Sequence, residues 1–201
     1  MTHIIKKSEA VEELTEISKL AKEIWVEYYT PLIGQAQTEY MISTFQSADR
    51  IQKDIEEKGF SYFTAFAGND IDNSNSIGIA RDSDNISKTT KPVGYFALQP
   101  DEKGVFISKI YISKEYRRRG IAGEIIQFSV CFAQEAIQSA ETKYDSSRYE
   151  TPRLWLTVNK GNSGSIEFYK KSGFEIIEEA VTDIGNGFVM DDYIMAFFFE
   201  K

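Results

Sequence analysis

The stretch from Phe106 to Gly123 constrains the fold most, because it combines a strand, a basic turn and a helix start. The run begins with apolar and β-branched residues, which is typical of a β-strand. It then passes through three consecutive arginines to a glycine that opens a long amphipathic helix. The first turn of a helix carries backbone N–H groups without intrahelical partners, and its dipole favours negative charge. The stretch therefore predicts an anion site suited to a pyrophosphate group.

The helix after this turn supports the prediction. Its apolar residues recur at helical spacing and fall close to one face; they are Ile121, Ile125, Phe128, Phe132, Ala133, Ala136 and Ile137. Gly120 and Gly123 carry no side chain, so a ligand can approach the backbone closely. Arg117, Arg118 and Arg119 add three positive charges beside the same turn.

A second pattern follows further along the chain. It reads Leu156-x-Val158-x-x-x-Asn162-x-x-Ser165-x-x-Phe168-Tyr169-x-x-x-Gly173-Phe174. An apolar strand leads here into a polar loop, and the loop leads into a short helix that ends at a glycine. The strand of this pattern follows the long helix, and that helix follows the strand that begins at Phe106, so we expect a parallel crossover between these two strands.

Together the two patterns resemble the signature motifs of the GCN5-related N-acetyltransferases, the GNAT superfamily. Arg117 to Ala122 resembles the Gln/Arg-x-x-Gly-x-Gly/Ala signature, and the second pattern resembles the second motif, with Ser165 where the family usually has alanine. The two motifs span Phe106 to Phe174 in the family's order and spacing. The C-terminal half also looks like the bacterial polyamine (spermidine/spermine-type) N-acetyltransferase branch.

The resemblance implies an α+β, three-layer fold whose central sheet is mixed but mostly antiparallel, with helices on both faces and one splayed pair of parallel strands. The expected order is strand, two helices, three strands, helix, strand, helix and two strands. Residues 1–201 are expected to form a single domain. Residues 69–91 are rich in Asp, Asn and Ser, which predicts a surface-loop insertion.

The family's acyl donor is acetyl-CoA, which this chain is then expected to use. The strand backbone would pair with the amide-bearing pantetheine arm, and the basic turn would hold the pyrophosphate. Asn162 would bond to the pantetheine or to its own turn, and Asn159 is an alternative. The expected cofactor-binding residues are Ile110, Tyr111, Ile112, Arg117, Arg118, Arg119, Gly120, Ile121, Ala122, Gly123, Asn159, Asn162 and Tyr169.

The resemblance also assigns the chemistry. Tyr169 stands where the family has a tyrosine that gives a proton to the departing sulfur, and the alternative is an aromatic packed under the cofactor. The acceptor amine would attack directly, and the Ile112 N–H would stabilise the oxyanion. The general base stays open between Glu39, a residue of the aromatic segment and an ordered water. Candidates for an acceptor wall are Tyr28, Tyr29, Glu39 and Tyr40, and the alternative is packing between two helices.

Composition narrows the classes of function and the location that remain open for this chain. A net charge of −8 argues against a general basic face for nucleic acid. One histidine and one cysteine leave little material for a triad or a metal site, so none is expected. No apolar run approaches about 18 residues, so no membrane span is expected and the cytoplasm is the default location. Cys131 is expected to be a packed thiol.

The expected acceptor is a small, polyamine-like primary amine. Asp183, Asp191 and Asp192 precede or begin the last strand and would favour a polycation, or else they form a solvated turn. Acetylation of a protein N-terminus or of an antibiotic amine is an alternative. A degenerate chain that binds acyl-CoA as a sensor belongs to a different class. Many relatives are dimers, so a homodimer is a further possibility.

Overall fold

A computed structural model describes residues 3–67, 91–143 and 152–199. Over these residues the strands are β1 Ile4–Ser8, β2 Ser61–Phe66, β3 Pro92–Asp101, β4 Gly104–Ile112, β5 Arg153–Asn159, β6 Glu175–Gly185 and β7 Phe188–Phe198. The helices are α1 Val11–Ile33, α2 Gln35–Phe45, α3 Ala48–Lys58, α4 Ile121–Lys143 and α5 Ser163–Lys171. The insertion predicted at 69–91 lies outside the described residues except for Lys91, which is exposed.

The strands of the described residues form one seven-stranded sheet in the order β1-β2-β3-β4-β5-β7-β6. Antiparallel registers join β1 to β2, β5 to β7 and β6 to β7. The pair β4–β5 is parallel, with helix α4 as the crossover between its strands. The predicted mixed sheet, mostly antiparallel with one parallel pair, is confirmed.

Helix α1 is amphipathic, and its buried residues are Leu14, Ile17, Leu20, Ala21, Ile24 and Trp25. Its start is stabilised by the Glu13 carboxylate, which accepts the backbone N–H groups of Glu9 and Ala10. Proline biases the residue before it away from helix, which predicts an end near Thr30-Pro31, but the helix continues through Pro31 to Ile33. It ends at Gly34, whose φ of 82° no longer fits a helix and whose N–H returns to the Thr30 carbonyl.

Tyr40, Met41, Phe45, Ile51 and Ile55 predict one helical region that stops at Gly59, but the structure has two helices here. Helix α2 ends at Phe45, and Ser47 begins α3 as its N-cap by accepting the backbone N–H of Arg50 at 3.2 Å. A serine in the extended conformation satisfies an N–H of the new helix, and this favours a restart over continuation. The predicted end at Gly59 is confirmed, with the glycine in the left-handed conformation.

The C-terminal hairpin is longer than the sequence predicts. The sequence predicts closing strands at Phe174–Ile177 and Tyr193–Phe199, whereas β6 and β7 have 11 residues each. Most side chains of β6 are exposed, so no apolar alternation marks most of this strand in the sequence. The turn lies at Asn186 and Gly187, both with positive φ, as expected for a tight hairpin turn.

The chain divides by its internal contacts into two compact units. The first is Met1–Ala97 with Lys109–Ile125, and its largest fully buried side chains include Tyr62, Tyr95, Phe96, Ile17 and Ile51. The second is Leu98–Ser108 with Ile126–Lys201, and its core includes Leu98, Leu154, Leu156 and Met195. Cys131 of α4 is exposed rather than packed, because it lies off the buried stripe of that helix.

Candidate active site

The parallel register of β4 and β5 is short. It ends where Ile107 lies opposite Leu156, whereas β4 continues to Ile112 and β5 continues to Asn159. Past this point β5 continues its register with β7. Within these described strands the parallel register therefore ends before either strand does. The backbone groups that β4 turns away from β3 are then suited to an amide-bearing ligand.

The end of β4 is held firmly against β3. The Ser113 N–H donates to the Val93 carbonyl at 2.8 Å. Gly94 lies so close to β4 that a Cβ at this position would be 2.7 Å from the Tyr111 carbonyl oxygen. Only glycine permits this approach without a shift of the backbone. The expected cofactor residues Ile110 to Ile112 thus sit on a fixed backbone with half-buried side chains.

The turn before α4 has the conformation that the arginine-glycine motif suggests. Arg118 has a φ of 60° and Gly120 a φ of 89°, so the chain reverses sharply before the helix begins at Ile121. Ile121 is buried and anchors the first turn, while Ala122 is half-buried. A Cβ added at Gly120 or Gly123 would meet no atom of the described residues within 4 Å. The helix start therefore faces open space, as an anion site at its N–H groups requires.

The three arginines of the turn are not equivalent. Arg118 and Arg119 are exposed, and the Arg119 guanidinium lies 5.2 Å from the centre of the Tyr116 ring. Arg117 is half-buried, and its side chain bonds to Glu27 of α1 and to the Ile112 carbonyl. The sequence grouped all three as cofactor residues. Arg118 and Arg119 have the exposure that a phosphate contact needs, whereas the side chain of Arg117 is engaged by the protein.

Two candidates for the acceptor wall, Tyr28 and Tyr29, belong to an aromatic cluster that also includes Tyr111 of β4. Tyr29 stacks on Trp25 at 4.2 Å between ring centres and meets the Tyr28 ring edge-on at 5.1 Å. Tyr111 approaches Tyr29 at 6.1 Å and Trp25 at 5.5 Å. The cluster therefore places Tyr28 and Tyr29 beside an expected cofactor strand.

The other two wall candidates, Glu39 and Tyr40, lie on α2 and contact other residues of that helix. Glu39 is exposed and accepts a hydrogen bond from the Gln35 amide at 2.8 Å. Tyr40 is half-buried and meets the Phe45 ring at 6.2 Å between centres.

Asn162 and Tyr169 are positioned by α5. Asn162 is buried and caps this helix, because its side-chain oxygen accepts the Ser165 N–H at 3.2 Å. Asn159 shapes the preceding turn by accepting the Gly161 N–H at 2.9 Å. This bond within its own turn is one of the two roles considered for Asn162. Tyr169 is half-buried, with Phe174 at 5.8 Å between ring centres.

A buried ionic network was missed by the sequence analysis. Asp54 of α3 accepts from Arg50 at 2.8 Å and from the Tyr62 hydroxyl at 3.2 Å, and lies 3.6 Å from the Lys109 ammonium. Lys109 also donates to the Tyr62 hydroxyl. Burial lowers the pKa of Lys109 to about 8, although Asp54 opposes the change. Val105, Ile107 and Lys109 occupy every second position of β4, so their side chains lie on the same face of the sheet. This alternation was the sequence signal for a buried Lys109.

The carboxylates near the last strand have different surroundings. Asp183 accepts the Gly185 N–H at 2.8 Å and shapes the hairpin. Asp191 and Glu179 both bind the Lys160 ammonium, at 2.6 and 2.8 Å. Two of the three expected acidic groups are therefore engaged by the protein.

Asp192 differs from these groups because it is buried at 5% exposure. Its Oδ1 has no hydrogen-bond partner among the described residues. Burial, followed by the charge of Asp191, raises the pKa of Asp192 to about 6.

Two further features of the described ranges bear on the class of site. They contain no group of three or more His, Cys, Asp and Glu side chains arranged to hold a metal ion. None of their helices combines the length and the apolar character needed to cross a membrane.

Comparison with solved structures places the fold among acetyltransferases. PaiA N-acetyltransferase from Thermoplasma acidophilum, crystallised with coenzyme A, is 19% identical, with a TM-score of 0.61 over 99% of this chain and 100% of that chain. A GCN5-related N-acetyltransferase from Rhodopseudomonas palustris is 15% identical, with a TM-score of 0.64 over 99% and 97%. A spermidine N-acetyltransferase chimera of SpeG from Vibrio cholerae and hSSAT is 14% identical, with a TM-score of 0.56 over 98% and 96%.

Comparison of the sequence gives the family. No curated protein matches the chain. The family model described as "Acetyltransferase (GNAT) domain" matches residues 74–176, which is just over half of the chain and includes both motifs. The chain belongs to the GNAT family of acetyltransferases.

Proposed function

We propose that this protein transfers the acetyl group of acetyl-CoA to the primary amine of a small, polyamine-like acceptor by direct attack. The turn before α4 carries the proposal. Its backbone reverses at Arg118 and Gly120, and Gly120 and Gly123 leave the helix start open. These features fit a pyrophosphate group, because both the N–H groups and the dipole of the helix favour an anion there. The crystal structure of PaiA with coenzyme A supports the same donor.

Acetyl-CoA would supply the activated acyl thioester. The backbone of Ile110 to Ile112 would bind the pantetheine amides, and the Ile112 N–H would stabilise negative charge on the carbonyl oxygen. Tyr169 would donate its phenolic proton to the departing sulfur. Asn162 would act through the turn that it caps, since its side-chain oxygen bonds to the Ser165 N–H.

The acceptor amine must lose a proton, because an alkyl ammonium has no lone pair for attack. The aromatic cluster of α1 and β4 would form a wall of the acceptor site. Its tyrosines and an ordered water are candidates for the base, as is Glu39, although Glu39 contacts Gln35 in α2.

Two observations support a cationic acceptor. The chain has a net charge of −8, which attracts a polycation at long range. A spermidine N-acetyltransferase chimera is among the proteins of similar fold. Asp183 and Asp191 do not add to this support, because the protein itself engages both carboxylates.

An amine panel tests the proposed acceptor. Thiol release is measured with acetyl-CoA and spermidine, a monoamine, a peptide with a free N-terminus and an aminoglycoside. We expect the highest kcat/KM with spermidine. Preference for the peptide or the aminoglycoside would replace the polyamine assignment with one of those acceptors. Acetyl-CoA binding without turnover of any amine would instead indicate an acyl-CoA sensor.

Tyr169→Phe tests the proton donor. We expect kcat to fall by at least about tenfold, while the acetyl-CoA Kd stays within about twofold, because only a transition-state interaction is removed. Tyr193→Phe is the matched control, since that ring lies beside Lys160 in the hairpin. An unchanged kcat in Tyr169→Phe would show that Tyr169 does not donate the proton to the departing sulfur.

A further inference from the structure

Arg117 makes three different contacts through one guanidinium. Its Nε donates to the Ile112 carbonyl at 2.9 Å, and its terminal nitrogen donates to Glu27 Oε2 at 2.6 Å. The guanidinium carbon lies 4.8 Å from the centre of the Tyr28 ring, within the range of a cation–π contact. A planar fork can make these contacts together, whereas the single ammonium of a lysine cannot reproduce the geometry.

Glu27 holds this arrangement from α1. Its second carboxylate oxygen lies 3.5 Å from the Lys114 ammonium, so it faces two cations of the segment that leads into the turn. The side chains of Arg117 and Glu27 are 28% and 34% exposed. The Lys19–Glu16 pair of the same helix is 65% and 58% exposed. Solvent and salt therefore screen the Arg117–Glu27 pair less.

The three contacts join parts that have separate tasks in the proposed reaction. Ile112 is the last residue of β4 and belongs to the backbone expected to bind the acyl carrier. Tyr28 contacts Tyr29, which stacks on Trp25 in the aromatic cluster expected to receive the amine. Arg117 itself begins the turn expected to hold the pyrophosphate.

We propose that Arg117 is a positioning residue, which Glu27 holds away from the phosphate so that it fixes Tyr28 against the end of β4. This inference rests on the proposed acetyl transfer. It predicts that the pair matters more for the acceptor than for the donor. Glu27 also places a negative charge beside a turn that binds an anion, so removal of this charge favours the donor.

Glu27→Gln separates this role from a general structural one. We expect acetyl-CoA to bind equally well or up to about fivefold more tightly, because two cations are released toward the pyrophosphate. We expect kcat/KM for the amine to fall by about tenfold, because Tyr28 is no longer held against β4. Arg117→Lys should cause the same loss for the amine, since the ammonium cannot replace the fork.

Hydrogen exchange provides a readout that does not depend on turnover. In Glu27→Gln, amides at residues 25–33 and 110–117 should exchange faster. Glu16→Gln is the matched control, because it breaks an exposed ion pair of the same helix and should leave exchange and kinetics unchanged.

The outcomes separate this inference from the proposed function. Parallel losses of acetyl-CoA affinity and amine kcat/KM in Glu27→Gln would overturn the positioning role, and so would unchanged exchange in both segments. A wild-type protein that binds acetyl-CoA but acetylates no amine would refute the proposed function. The exchange and acetyl-CoA titrations of Glu27→Gln would still decide whether the pair holds the two segments together.

Discussion

At Gly123, helix stability and the proposed binding of acetyl-CoA place opposite demands on α4. Glycine is a poor helix former, yet a Cβ at this position would meet no atom of the part of the chain that the structure describes within 4 Å. We expect Gly123→Ala to raise the free energy of unfolding by about 0.5 kcal/mol. The same methyl group would weaken acetyl-CoA binding by about tenfold, or ~1.4 kcal/mol, because it occupies space beside the pyrophosphate.

Chemical denaturation and a binding titration measure these two effects. Gly164→Ala in α5 calibrates the stability gain, since that glycine has equally open surroundings. A Gly123→Ala protein that is more stable and binds acetyl-CoA normally would show that the pyrophosphate lies elsewhere.

Asp192 affects stability through its raised pKa. An aspartate ordinarily has a pKa near 3.8, and burial raises this one to about 6 in the folded protein. The folded state therefore holds the proton more tightly than the unfolded chain. The resulting contribution to stability is fully present below the unfolded pKa and is lost as the pH rises through the folded pKa.

Asp192→Asn removes this titration. We expect the variant to gain stability relative to wild type between roughly pH 4 and pH 7, because wild type alone loses the contribution there. Denaturant midpoints at the two pH values measure the difference. A constant difference across this range would contradict a titrating Asp192.

Sequence reasoning at the scale of single residues succeeded where the cause is local. The open positions of Gly120 and Gly123 follow from a motif in which a turn meets a helix. The pairing of Arg117 with Glu27 spans 90 positions, and the bond from Lys109 to Tyr62 spans 47. No local pattern indicates such partners, because only the folded sheet brings them together.

At the scale of helices and strands, prediction worked best where burial imposes a pattern. The sequence predicts strands at Val105–Ile112 and Arg153–Val158. These bounds agree with β4 and β5 to within a residue, since both strands have buried alternating positions. The break between α2 and α3 was missed, because Ser47 starts α3 as its N-cap and hydrophobic periodicity does not reveal a cap. Strand β6 was underestimated, because most of its side chains are exposed.

Lys109 links β4 to α3 and β2, so its ionisation bears on how these elements hold together. Its pKa falls from 10.5 to about 8 in the folded protein, whereas the unfolded chain keeps the proton to higher pH. Between these values the unfolded chain binds more protons, so stability rises with pH.

Lys109→Met should remove this rise. Denaturation of wild type and variant at roughly pH 8 and pH 10 measures it, and we expect the wild type to gain more stability over this interval. Equal gains in the two proteins would show that Lys109 does not titrate there.

At the scale of the whole molecule, charge favours a cationic acceptor. The net charge is −8, and such an excess acts over a distance that shrinks with ionic strength. We therefore expect KM for spermidine to rise with added salt, while KM for an uncharged amine analogue changes less. Equal salt dependence of KM for both acceptors would show that long-range attraction does not contribute to spermidine binding.

The central claim is that the turn before α4 and the end of β4 bind an acyl-CoA. Calorimetric titration of the purified chain with acetyl-CoA tests it most directly. We predict saturable binding of one molecule per chain, with a Kd between about 1 and 100 μM. Gly120→Asp should weaken it, because a carboxylate would face the pyrophosphate. Absence of any heat of binding up to about 1 mM acetyl-CoA would contradict the account.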